Sequence, residues 1–156
     1  DLLRGGQYTE IQLHSACGAE HWRVQGDAQQ LLQVLLNLLQ NARDVHRQCG
    51  CEGQAIALEI ATEDGQLALA VRDHGPPLSP EALALLFTPF HTTKPDGLGL
   101  GLSISRSIAE AHGGALRARP VAAQDGGGMR MVLLLPLAEA DPARAMAPVL
   151  TQDSGV

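Results

Sequence analysis

Aromatic side chains are scarce in this chain of 156 residues: two Phe, one Tyr and one Trp, 3% of the total. Its core must therefore pack aliphatic layers, mostly Leu and Ala, and 45% of the residues are apolar. Long apolar runs are missing as well. No stretch approaches the roughly 18 residues that a membrane span needs, so no membrane contact is expected of this domain. No signal-peptide pattern opens the chain. Positive charge is in short supply. Eleven Lys and Arg stand against 17 Asp and Glu, for a net charge of −6. That balance lacks the basic face of a nucleic-acid binder. Cysteine is sparse and odd in number, three in all, which fits a reducing, cytoplasmic setting better than a disulfide framework. Cys49-Gly50-Cys51 allows a redox or metal pair, but it reads as a loop with two reduced thiols, because no second Cys/His pair completes a site.

What is present is organised around Leu85 to Gly114. Leu86 to Phe90 places two aromatic rings around a proline turn. Thr92-Thr93-Lys94-Pro95-Asp96 is a polar loop. Gly97-Leu98-Gly99-Leu100-Gly101 then opens a helix, starting at Leu102 or Ser103, that runs to about His112 and stops at Gly113-Gly114. Glycine at every second position lets the backbone approach a ligand closely. The helix start offers unpaired N–H groups and the positive end of its dipole, a seat for phosphate. Lys94 adds a movable positive charge at the same mouth. No Lys-Ser or Lys-Thr follows the last glycine, so this is not a Walker A loop, and the spacing is not G-x-G-x-x-G. Alone, the run also fits a flexible turn.

The rest of the chain supplies partners. Ile11 to Leu13 alternates as a strand, and Trp22 to Val24 reads as a second extended piece. Asp27 is a candidate N-cap for a strong helix from Ala28 to Gln48. Leu31, Leu32, Leu35, Leu38, Leu39 and Ala42 recur there at helical spacing. Asn37 and Asn41 lie four apart on one face. An amide oxygen can ligate a hard cation such as Mg2+, and the NH2 can donate to phosphate. Taken alone, the spacing fits two solvent-facing asparagines better. Gln54 to Thr62 and Leu67 to Val71 alternate as strands around a hairpin turn at Glu63 to Gln66. Asp73, at a strand end before Gly75, can accept from an exocyclic amine such as that of adenine, or be an ordinary turn aspartate. Ser79-Pro80 starts a short helix to about Phe87. Ala115 to Arg119 and Met129 to Leu135 read as the last strands, around a glycine-rich turn at Gln124 to Gly128.

Together these pieces resemble the catalytic, ATP-binding domain of sensor histidine kinases, within the gyrase, chaperone, kinase and mismatch-repair ATPase superfamily. Asn37-Leu-Leu-Gln-Asn41-Ala42-Arg43-Asp44 looks like the N box, Asp73-His-Gly75 the G1 box, Leu86 to Phe90 the F box and Gly97 to Gly101 the G2 box. The resemblance covers residues 8–137, with 1–7 the end of an upstream helix or linker and 138–156 a flexible tail. It implies an α/β two-layer sandwich, the Bergerat fold: a mixed sheet of about five strands with three helices on one face. Asn41 would ligate Mg2+ and Asp73 would bind the adenine amine. Gly75 would admit the backbone to the base and Leu78 would wall the pocket. Thr92, Thr93 and Lys94 would reach the phosphates, which Gly97, Leu98, Gly99, Leu100, Gly101 and Leu102 would hold.

The ATPases resembling gyrase carry a glutamate at the position of Asn37 to activate water. An amide cannot take a proton at neutral pH. Asn37, with Lys94, would instead orient the phosphate or an attacking imidazole, and the chain alone should hydrolyse ATP poorly. Two departures stand out: Pro77 where the family has the last glycine of its G1 box, and Met129 where it has Thr. Each removes a possible hydrogen bond near the base, worth roughly 1 kcal/mol. They keep a non-catalytic nucleotide-binding module open as an alternative, beside a self-sufficient ATPase. The six histidines read as surface residues, with His91 in the lid within reach of phosphate. The phosphoacceptor would lie on a separate dimerisation domain, for relay to a response regulator. The chain opens at Asp1 rather than Met and reads as part of a longer protein, which can be membrane-anchored, with this domain monomeric.

Overall fold

The computed structural model describes residues 10–16, 18, 22–92, 97 and 99–139. The leading segment 1–7, most of the expected tail, and Thr93, Lys94 and Leu98 lie outside the described residues. Strand β1 spans Ile11–Ser15, helix α1 Ala28–Cys49, β2 Ile56–Glu63, β3 Gln66–Asp73, α2 Pro80–Leu85, α3 Gly101–Ala111, β4 Ala115–Pro120 and β5 Met129–Pro136.

Helix α1 starts where expected. The Asp27 carboxylate accepts the N–H groups of Gln29 and Gln30 at 2.9 and 3.2 Å, satisfying two donors that the helix itself cannot. Its buried stripe runs Val34, Leu38, Ala42, His46, one residue per turn. Leu32 does not belong to that stripe: it is 54% exposed, as Leu36 is at 56%. The helix ends on Gly50 in the left-handed region, φ 70°, whose N–H returns to His46. Cys49 and Cys51 are joined in a disulfide, which corrects the reading of two free thiols. The left-handed glycine between them folds the chain back so that the two side chains meet.

Helix α2 is shorter than expected. After Leu85 the bonds tighten to Leu86 N–H on Leu83 O and Thr88 N–H on Leu85 O, and a proline at 89 disfavours helical backbone in the residue before it. Trp22 to Val24 forms no strand. Arg23 O accepts the Ala138 N–H at 2.6 Å, and Val24 packs on the core.

The five strands form one mixed sheet in the order β1-β2-β3-β5-β4. β1 runs parallel to β2; the other pairs are antiparallel. The β2–β3 hairpin turns through Asp64 (φ 49°) and Gly65 (φ 75°), the two positive φ values that match the twist of the flanking strands. Alternation along the strands sends Ile56, Val71, Leu116, Met131, Leu133 and Leu135 into one core with Val34, Leu38, Ala42 and Ala109 of the helices. Leu83 of α2, with Leu86 and Phe87 beyond it, also packs on that core, so all three helices lie on one face. The other face buries a small cluster, Ala68, Ala70, Val132 and Leu134. Arg130 of β5 reaches Glu59 of β2 across β3, and Arg119 of β4 reaches Glu63 of β2 across β5 and β3, through two hydrogen bonds each. The expected two-layer sandwich with five strands is the observed fold.

Candidate nucleotide site

Helix α1 makes two contacts along one side, with Asn41 between them. At Asn37 it meets the start of α3: the amide Nδ2 donates to Ser105 Oγ at 3.2 Å and to Gly101 O at 3.4 Å. Ser105 is wholly buried. One turn on, Asn41 is half-buried and makes no side-chain hydrogen bond among the described residues. One further turn brings Val45 and His46 against the loop after β3. The His46 Nε2 accepts the backbone N–H of His74 at 2.9 Å. Because Nε2 accepts, the imidazole proton sits on Nδ1, which is buried with no hydrogen-bond partner.

Asp73 ends β3 at 5% exposure. Its carboxylate accepts the Gly75 N–H at 2.8 Å. Burial pushes its pKa up; the backbone N–H groups of Gly75 and Met129 pull the other way and do not cancel the burial. A buried acid with spare acceptor capacity suits an amine donor. Gly75 is held by a close approach rather than by its φ: a Cβ there would drive into Val45 of α1. On the other side a Cβ on Gly128 (φ 88°) would strike the Asp73 carbonyl. Arg72 fixes that glycine turn by donating to Asp125 O at 2.8 Å and Gly127 O at 3.1 Å. Met129, where a Thr was expected, is buried in the core.

Gly75→Ala should therefore cost about 1–3 kcal/mol of stability by overpacking against Val45. Urea unfolding of the single variant, of Val45→Ala and of the pair measures the coupling. Partial recovery in the double variant is the expected result.

The glycine run meets the F-box segment directly. Phe90 N–H donates to Gly99 O at 3.1 Å, and Gly99 (φ 70°) has no room for a Cβ beside the backbone of Phe90 and His91. Helix α3 begins at Gly101, one residue before the earliest expected start, and its N-cap Leu100 supplies no side-chain cap. The first-turn N–H groups thus lack the usual internal acceptor. Leu102 is half-buried on that turn, and Gly97, Leu78 and Thr92 are exposed. The two rings of the F-box segment part company. Phe87 packs on the core under Arg106, whose guanidinium carbon sits 5.0 Å from the ring centre. Phe90 adopts φ 62° and is 74% exposed. Among the described residues no group of three His, Cys, Asp or Glu can hold a metal ion.

Two histidines are not the surface residues expected. His46 is wholly buried, and the four-residue spacing from Val34 through Leu38 and Ala42 was the signal for it. His112 is a strut between helices: its Nε2 accepts the Asp27 N–H at 3.0 Å and its Nδ1 lies 2.7 Å from Ile108 O. His14 and His91 are exposed, and His21 lies outside the described residues.

The family model described as histidine kinase-, DNA gyrase B- and HSP90-like ATPase matches residues 26–139. The sensor histidine kinase ZraS of Salmonella typhimurium is 39% identical over 138 residues, 87% of this chain and 28% of the relative. The C4-dicarboxylate transport sensor protein DctB of Rhizobium meliloti is 44% identical over 91 residues, 58% of this chain and 14% of the relative. Among solved structures, the nucleotide-free catalytic domain of histidine kinase ThkA superposes with a TM-score of 0.68 at 31% identity, covering 82% of this chain and 78% of that one. Full-length ShkA in complex with AMPPNP gives 0.67 at 29% identity, covering 86% and 27%. The chain spans less than a third of the length of these sensor proteins. No helix among the described residues is long and apolar enough to cross a membrane. With fold, motif order and relatives in agreement, this chain belongs to the histidine kinase-, DNA gyrase B- and HSP90-like ATPase family, as a catalytic domain of the sensor histidine kinase type.

Proposed function

We propose that this domain binds Mg-ATP between α1 and the glycine run and donates the γ-phosphate to a histidine on a dimerisation domain, for relay to a response regulator. The observation that carries the reading is the position of Asn41. Its half-buried amide, unpaired among the described residues, lies on α1 between the contact with the α3 N-terminus and the contact with the Asp73 loop. A triphosphate on the uncapped α3 start and a purine amine on Asp73 would place the intervening phosphates beside that amide. The likeness to ShkA, solved with AMPPNP, supports a nucleotide as the ligand.

The donor set suits magnesium. Mg2+ keeps several waters and takes one or two protein oxygens beside substrate phosphates, so Asn41 Oδ1 is a sufficient protein ligand. Bound there, the ion would neutralise charge on the phosphate oxygens. Asn37, tied to Ser105 and Gly101 O, would fix the spacing of α1 from the phosphate seat. It has no basicity with which to activate water. Lys94, Thr92, Thr93, Gly97, Leu98, Gly99, Leu100, Gly101 and Leu102 are proposed phosphate contacts, and Leu78 a wall of the purine pocket.

The test is transfer against hydrolysis. With radiolabelled ATP the chain alone should release phosphate slowly. Adding a histidine-bearing dimerisation domain should give an acid-labile, base-stable phosphoprotein. Rapid hydrolysis by the chain alone, with no transfer, would identify a self-sufficient ATPase instead.

A further inference from the structure

The last turn of α1 carries a sulfur pair that the nucleotide site does not use. Cys49 closes the helix, Gly50 turns the chain back and Cys51 is bonded to Cys49. The N–H groups of Gly50 and Cys51 both end on the carbonyl of His46, the second at 2.8 Å. The side chain of the same histidine holds the His74 N–H, and His74 follows Asp73. The Cys51 Sγ also lies 3.7 Å from the His74 carbonyl oxygen. The disulfide thus meets the Asp73 loop twice, once directly and once through His46.

We propose that Cys49–Cys51 is a reversible thiol–disulfide site whose state sets the affinity of the purine end of the nucleotide site. The proposal rests on the nucleotide reading above. Both cysteines are half-buried, within reach of a reductant. The ring they close spans three residues, so closure removes little entropy from the unfolded chain, and the bond adds little stability to resist opening. A dithiol reductant suffices. Its thiolate attacks one sulfur, the Cys49–Cys51 bond breaks, and its second thiol resolves the mixed disulfide. Two electrons and two protons pass to the pair, and the reductant leaves as a disulfide. An oxidised dithiol reverses the step.

The coupling follows from how lightly His46 is held. With Nδ1 unpartnered, its ring is oriented by packing and by the one bond to His74. Opening the pair frees the chain after Cys49, so that Cys51 is no longer fixed against the His74 carbonyl from the end of α1. The closed pair keeps the loop ordered for binding; with the pair open, binding must also order the loop.

Calorimetric titration of this chain with Mg-ATP, in a Cys17→Ser background, tests the idea. Dithiothreitol reduction should weaken Mg-ATP binding by about fivefold or more, the low end of ordinary coupling between sites. Magnesium tripolyphosphate, which lacks the purine, should bind equally in both states. Cys51→Ser should bind as the reduced chain does and ignore dithiothreitol. Equal Mg-ATP affinities in the two states overturn the switch and leave the nucleotide site standing. Equal weakening of ATP and tripolyphosphate overturns the coupling to the purine end. No binding in either state overturns the nucleotide reading and the switch with it.

Discussion

Asn41→Ala should abolish Mg2+-dependent ATP binding while leaving the fold intact. Asn41 is the single protein oxygen offered to the metal in this account. Even residues that only orient metal ligands cost about 10- to 100-fold in affinity when removed, so loss of the ligand itself should cost at least about 100-fold. Stability should hardly move. The amide is half-buried and unpaired among the described residues, and Ala is the better helix former by several tenths of a kcal/mol. Calorimetry with ATP, with and without Mg2+, checks the first part; the urea midpoint checks the second. The parent protein in EDTA should behave like the variant in Mg2+. A variant that binds Mg-ATP like the parent would remove Asn41 from the metal site.

Asp73→Asn should separate binding from stability in the opposite sense. A hydrogen bond to a charged acceptor is worth about 1.5–3 kcal/mol, so loss of the carboxylate should weaken ATP by about tenfold to 150-fold. The apo fold should gain. The folded chain holds Asp73 above its usual carboxylate pKa because the ionised form is buried. As pH rises past the ordinary carboxylate range, the unfolded chain therefore ionises first and the folded chain binds the extra proton. Stability falls across that window and stays lower above the raised pKa. Asparagine keeps an acceptor for the Gly75 N–H and carries no charge. Its melting temperature should exceed the parent's at neutral pH, with the difference shrinking as pH falls through the carboxylate range. A variant destabilised at neutral pH would show that ionised Asp73 is not a burden on the fold.

Much of the architecture was legible because it is carried by short-range pattern. The alternation in Ile56–Glu63 and Gln66–Asp73, the Asp64-Gly65 turn and the Asp27 cap each dictate their local geometry. Helix α3 was legible from the glycine run before it and Gly113-Gly114 after it. Features that depend on what the chain meets in space were not legible. Phe87 and Phe90 look alike in sequence, yet a positive φ at Phe90 turns one ring out while the other packs inward. Trp22 to Val24 has strand-like composition, yet the segment forms no strand and Arg23 O accepts the Ala138 N–H beyond the end of β5. His112 looked like a helix terminus and proves to be the strut from α3 to the Asp27 cap. Cys49 and Cys51 read as free thiols for want of a second Cys/His pair, and a left-handed Gly50 brings them together.

The same limit applies at the site. The boxes marked Asn41 and Asp73, but not the residues that seat them. Val45 fills the space that Gly75 leaves, His46 holds the backbone after Asp73, and Ser105 receives Asn37. None belongs to a box, since each acts through contact with a residue distant in sequence. The chain's single lysine, Lys94, remains a proposed phosphate contact on sequence grounds alone.

The central claim is a purine pocket and a metal-held phosphate seat joined along one helix. Titrating the unmodified chain with ATP in a calorimeter, with Mg2+ and then with EDTA, tests it most directly. Saturable binding of one nucleotide per chain that collapses when the metal is removed is the result expected. Heats that stay at the dilution baseline up to millimolar ATP in the presence of Mg2+ would contradict it.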